Sequence, residues 1–153
     1  MTLPCPSYMR QESRQTLRDG MAEYYASYPE LFPPDEMPAD EAKLFREHDA
    51  AHVLFACSIT IRGEILIDTW AIFGSTLGIK GYLEYLKLPQ VNFVLLRAGS
   101  VRLAVELLRS LPGVARVILR CIRFKEKWRW QSYEKHLDRP LHEIRTQFNI
   151  RVL

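Results

Sequence analysis

Apolar residues along this chain recur at helical spacing, and Pro, Gly and short polar runs cut the pattern into segments. Leu17, Met21, Tyr24 and Tyr25 share one side of a helix expected over 13–27 and stopped by Pro29. Residues 1–12 hold two prolines and no periodicity, which predicts a flexible N-terminal arm. After a connector with Pro33, Pro34 and Pro38, a helix is expected over 41–55 with Asp40 as its cap. Leu44, Phe45, Val53, Leu54 and Phe55 put apolar surface nearly all round it, the mark of a central helix.

The β-branched run through Ile59, Thr60 and Ile61 weakens helix, and Ser58 or Thr60 can cap a new one over 60–73, with Gly74 as its C-cap. The stretch from Gly74 to Gly81 lacks a Gly-Lys-Ser/Thr order and a preceding strand, so it reads as a helix-to-helix turn rather than a phosphate loop. A short helix through Tyr82, Tyr85 and Leu86 should end at Pro89. A helix over 90–111, broken near Gly99-Ser100, should be closed by Pro112-Gly113. Residues 114–128 then form the cleanest amphipathic pattern. Arg116, Arg120, Arg123 and Lys127 lie on one stripe, with Val114, Val117, Ile118, Cys121 and Trp128 opposite. A short helix from Gln131 and one over 141–148, with Pro140 at its first turn, complete an all-α fold. The expectation is a single-domain helical bundle over 13–153 of about six to eight helices, with a central helix pair carrying a metal site.

Composition narrows the classes. The chain has 153 residues, 48% of them hydrophobic and 25% charged, as expected for one soluble domain with a substantial core. Cys5, Cys57 and Cys121 are unrelated in spacing and read as reduced thiols. No apolar run reaches bilayer length and no secretory signal is visible, so a cytoplasmic location is expected. The net charge of +3 is unevenly spread, acidic over 30–49 and basic after 97. Without a helix-turn-helix, zinc finger or aromatic RNA-binding motif, the basic part does not indicate nucleic acid. The stripe of Arg116, Arg120, Arg123 and Lys127 reads first as a solvated face. Its sharper reading is peripheral contact with anionic lipid at the inner face of a membrane, with Trp128 and Trp130 at its end.

The chemistry concentrates in His48, Asp49 and His52, followed by Glu64. The two histidines lie one helical turn apart, and Asp49 sits about 100° round the axis from His48. On one continuous helix Glu64 would lie roughly 18 Å beyond His52, so the chain must turn back for the four to converge. Two buried histidines on a helix alone are better read as hydrogen-bonded core residues. With Asp49 and Glu64 added, they suit one divalent ion, zinc first, with iron(II), manganese or cobalt also compatible. Asp68, one turn after Glu64, could accept the distal N–H of a ligating histidine. Other hydrolytic classes fit poorly. A zinc peptidase needs Glu where Asp49 stands, and a His-Asp phosphohydrolase needs a further upstream histidine, whereas none precedes His48. Ser58 and Cys57 have no oxyanion loop, and His136 and His142 are expected at the surface.

Arg46-Glu47-His48-Asp49-Ala50-Ala51-His52-Val53-Leu54, then Gly63-Glu64, resembles the signature of the coenzyme Q biosynthesis protein 4 family. Trp128, Trp130, Tyr133-Glu134, Leu137-Asp138-Arg139-Pro140-Leu141 and Arg145 resemble that family's closing segment. Family members usually carry a further N-terminal helical region, so the resemblance is to a shortened member. It implies a metal-binding role in ubiquinone biosynthesis, acting on a polyprenylated aromatic precursor. The implied chemistry is at ring C1, where a carboxyl group is removed and oxygen installed. His48, Asp49, His52 and Glu64 would hold the metal, and other quinone-biosynthesis enzymes are the implied protein partners. A non-enzymatic, metal-stabilised scaffold that binds a prenyl lipid or a partner enzyme is the alternative.

Overall fold

The computed structural model describes residues 5–29, 31, 37–87 and 99–153, and their regular structure is helical, as the periodicity predicts. Helix α1 (Leu17–Ser27) starts later than expected because Thr16 and Asp19 close a reciprocal capping box, each side chain taking the other's backbone N–H. Helix α2 (Ala39–Phe55) follows Pro38. Asp40 is not its cap and lies in the first turn, where its charge still suits the positive helix end. Helix α3 (Ile61–Gly74) is capped by Thr60 as anticipated, but Gly74 is its last residue and Ser75 follows as the cap. Helix α4 (Gly78–Tyr85) comes next, then α5 (Ser100–Cys121) and α6 (Leu141–Phe148), with 3-10 turns at Ser7–Met9 and Trp130–His136. The Pro33-Pro34 connector, the stop at Pro89 and the first part of the helix expected from residue 90 fall outside the described residues.

The largest departure is α5. Pro112-Gly113 was expected to end one helix before a second over 114–128, yet a single helix runs through Pro112 and stops at Cys121. A proline inside a helix removes one backbone bond and costs about 3 kcal/mol. Here α5 lies along α3, and that packing outweighs the lost bond. Gly113 permits the close approach: a Cβ there would stand 2.9 Å from Leu66 Cδ2. Arg123 and Lys127 consequently lie beyond the helix, so the four-residue basic stripe is not one helical face. Trp128 and Trp130 are buried, which removes them from any lipid-facing role.

Helix α2 is the centre of the bundle. Every residue from Glu47 to Phe55 is buried, between α1 on one side and α3 with the 130–136 turn on others. Below it Phe55, Trp70 and Phe124 stack, with ring centres 4.7 and 5.5 Å apart.

Residues 5–12 are not a loose arm. Tyr8 is fully buried, and its backbone N–H donates to Glu23. The reason is Arg145, a side chain of α6 with no exposed surface. Its guanidinium donates to the carbonyls of Tyr8 (2.7 Å), Val53 (2.9 Å) and Leu54 (2.8 Å), and to those of Arg10 and Gln11. It thereby supplies donors to the last carbonyls of α2 and ties the N-terminal segment to both helices. Lys cannot reproduce this fork, so Arg145→Lys should lower unfolding stability by about 2–4 kcal/mol in a urea titration. An unchanged midpoint would remove the guanidinium from this role.

Candidate metal centre

His48 and His52 point the same way from α2, their ring centres 4.7 Å apart. The chain then turns back sharply. Ala56 takes a left-handed conformation (φ 55°, ψ 48°), and the Cys57 N–H returns to the His52 carbonyl at 3.0 Å. Thr60 starts α3, whose first turn lies hard against this loop. A Cβ on Gly63 would stand 1.8 Å from the Ser58 carbonyl oxygen, so only glycine fits. The next residue, Glu64, is thus delivered to the histidines.

Glu64 Oε1 lies 3.4 Å from His52 Nε2, and Oε2 lies 3.8 Å from His48 Nε2. The donor atoms of the three residues all fall within 4.8 Å of one another. Both Nε2 atoms are buried and neither makes a hydrogen bond, so the Glu64 contacts are electrostatic. Two donors each about 2.05 Å from a tetrahedral ion stand about 3.3 Å apart, close to this spacing. His52 Nδ1 lies 3.1 Å from the Cys57 carbonyl. A carbonyl only accepts, so Nδ1 carries the proton and, in the neutral ring, Nε2 presents its lone pair to the centre. The donor set of two imidazoles and a carboxylate therefore fits a divalent ion. The Glu64 side chain keeps 38% of its surface exposed, while the Nε2 atoms of both histidines are buried.

Two expected members stand elsewhere. Asp49, the expected fourth ligand, is not in the group. Its carboxylate accepts from Tyr25 Oη at 2.8 Å and from Tyr24 Oη at 3.5 Å. Asp68 does not receive a histidine N–H. It accepts from Tyr82 Oη at 2.6 Å, and the Cys57 carbonyl takes the orienting role at His52. That carbonyl carries no side-chain signal in the sequence. Tyr24 and Tyr25 were legible as inward residues of α1, but not as partners of Asp49. Tyr85 was also missed: its ring stacks on His48 at 5.2 Å, while Tyr24 stacks on His52 at 5.6 Å. Of the two other histidines, His136 is partly buried between Trp128 and Phe148, and His142 reaches the Ser13 carbonyl.

Burial and neighbouring charge sort the protons. Burial, with the charge on His52, pushes His48 down to about 4 against the pull of Glu64. For His52 burial also acts downward, but Glu64 and Asp49 outweigh it and its pKa rises. Burial raises Glu64, yet His52 and His48 bring it below the usual carboxylate value. Asp49 and Asp68 are each pushed up to about 6 by burial, with their tyrosine bonds opposing. His48 is therefore neutral over the whole physiological range, the form a divalent ion would need.

No known protein family, curated protein or solved structure matches the chain in comparison.

Elemental analysis of the purified protein and variants tests the donor set. His48→Ala, His52→Ala and Glu64→Gln should each lose bound divalent metal, while Asp49→Asn should retain it. Loss from Asp49→Asn equal to that from His52→Ala would restore Asp49 as a ligand. Gly63→Ala should push the start of α3 off the Ser58 carbonyl and lower metal affinity on the order of tenfold or more, as an indicator competition would read. Unchanged affinity would show that the loop yields without moving Glu64.

Proposed function

We propose that this chain is a metal-dependent enzyme of ubiquinone biosynthesis that acts on a polyprenylated 4-hydroxybenzoate. The sequence resemblance supplies the pathway and substrate class. The structural observation that supports an enzyme is the donor count among the described residues: His48, His52 and Glu64 converge while Asp49 is held away by Tyr24 and Tyr25. Three protein ligands leave a coordination position for substrate or water, whereas closed four-ligand sets are usually structural. This favours catalysis over the metal-stabilised scaffold.

The net reaction breaks the bond from ring C1 to its carboxyl carbon, releasing carbon dioxide, and forms a C1–O bond. With dioxygen as oxidant, one oxygen atom ends on C1 and the other in water, and an external donor supplies two electrons and two protons. A divalent ion, zinc or iron(II), would supply Lewis acidity toward the ring carboxylate or phenol oxygen. The chain's own residues hold and orient. Nδ1 of His52 on the Cys57 carbonyl fixes that ring, and Tyr85 packs flat on His48. The open side of Glu64 admits the polar end of the substrate.

No helix among the described residues is long and apolar enough to cross a membrane. The same reading places lipid contact on α5, where Val101, Leu108 and Leu119, with Ile122 beyond its end, are exposed apolar positions on the helix that also carries Arg116. Arg120, Arg123 and Lys127 would add charge around its end.

Metal-loaded protein given a prenylated 4-hydroxybenzoate under air with a reductant should release carbon dioxide and yield the C1-hydroxylated ring. Glu64→Gln should abolish turnover. Protein that neither binds the benzoate nor alters quinone output when deleted would refute the assignment.

A further inference from the structure

A second cavity lies at the end of α5 and shares no residue with the histidine centre. It measures about 450 Å³ and is lined by Gln11, Arg120, Arg123, Asn149, Arg151 and Val152. Three of these six are arginines and none is acidic, so like charges meet in its lining.

The walls are built rather than incidental. Gln11 clamps the C-terminal segment from both ends of its amide, Nε2 donating to the Ile150 carbonyl (3.1 Å) and Oε1 accepting from the Val152 N–H (2.8 Å). Asn149, in a left-handed conformation, donates from Nδ2 to the Arg123 carbonyl at 2.7 Å. Arg120 Nη1 donates to the Arg151 carbonyl at 2.8 Å, joining the helix end to the same segment. These bonds use one guanidinium N–H of Arg120 and leave the Arg123 and Arg151 guanidinium groups unengaged by any carboxylate of the described residues. Arg120 lies in the last turn of α5 and Arg123 just after it, at the carbonyl end where positive charge is favoured anyway. Arg151 sits on an extended segment and has no such reason to be there. Burial, and after it the charge of Arg116, lower the pKa of Arg120.

We propose that this cavity binds a phosphate group, a phosphomonoester or diphosphate, held by Arg120, Arg123 and Arg151 with the Asn149 and Gln11 amides at its edge. Guanidinium groups match phosphate oxygens two at a time, and three of them at one cavity suit a doubly charged anion. The site does not depend on the metal reading. The same chemistry is offered by a free phosphorylated molecule and by a phosphomonoester lipid headgroup.

The test is calorimetric titration of the full chain with inorganic diphosphate at low ionic strength, beside flotation with phosphatidylcholine vesicles with and without phosphatidic acid. Wild type should bind diphosphate. R123A/R151A should weaken binding on the order of a hundredfold with the melting temperature unchanged, and the milder R123Q/R151Q should do the same. His52→Ala should bind like wild type. Capture by phosphatidic acid vesicles alone, lost in both double variants, would identify the source as a lipid headgroup. Absence of binding to both probes, or binding that survives both double variants, overturns the proposal.

Discussion

The fold depends on the guanidinium of Arg145. A helix buried on all sides cannot hydrate its last carbonyls, and α2 is buried from Glu47 to Phe55. From the backbone the Val53 carbonyl takes only a long bond from the Ala56 N–H at 3.4 Å, and a buried carbonyl without a good donor costs about 1–3 kcal/mol. Arg145 donates to the carbonyls of Val53 and Leu54, and its remaining N–H groups take the carbonyls of Tyr8, Arg10 and Gln11. One side chain thus joins the last helix, the central helix and the N-terminal segment. Burying that charge is tolerable only because nearly every donor is used. The position of α2 in the bundle, and hence of His48 and His52, follows from it.

Fixing α2 makes the site rigid on one side, and the loop after it supplies the other. The Cys57 N–H and carbonyl both return to His52, one to its backbone and one to its ring. Gly63 then lets α3 begin without a gap against Ser58. Backbone geometry, with little help from long side chains, sets the 3.4 and 3.8 Å spacings at Glu64. The two buried, unpaired Nε2 atoms are a cost that the packing does not repay. An ion binding at the three donors would repay it, which couples metal affinity to folding stability.

Much of this was legible in the sequence, and the misses have physical causes. Helix periodicity gave α1, α2, α3 and α6 because each carries an inward apolar stripe and a local start or stop signal. It failed at Pro112, where a local breaker was overruled by packing along α3, a contact that no window of α5 reveals. Residues 5–12 looked loose because their anchor, Arg145, lies more than a hundred residues away. The pair His48 and His52, and the return of Glu64, were readable from spacing and from the helix-weakening run that follows. The Cys57 carbonyl could not be read, because backbone groups leave no mark on residue type.

Asp49 shows where spacing alone misleads. Residues four apart on a helix differ by about 40° round the axis, so His48 and His52 share a face. Asp49 lies about 100° from His48 and about 60° from His52 on the other side. That rotation turns its carboxylate from α3 toward α1, where Tyr24 and Tyr25 present their hydroxyl groups. Bonded there, it stands outside the group formed by His48, His52 and Glu64. It also shapes the site from a distance, because its charge helps raise the pKa of His52. A carboxylate that would close a four-ligand set instead acts on His52 from outside, and the group that converges among the described residues is two imidazoles and one carboxylate.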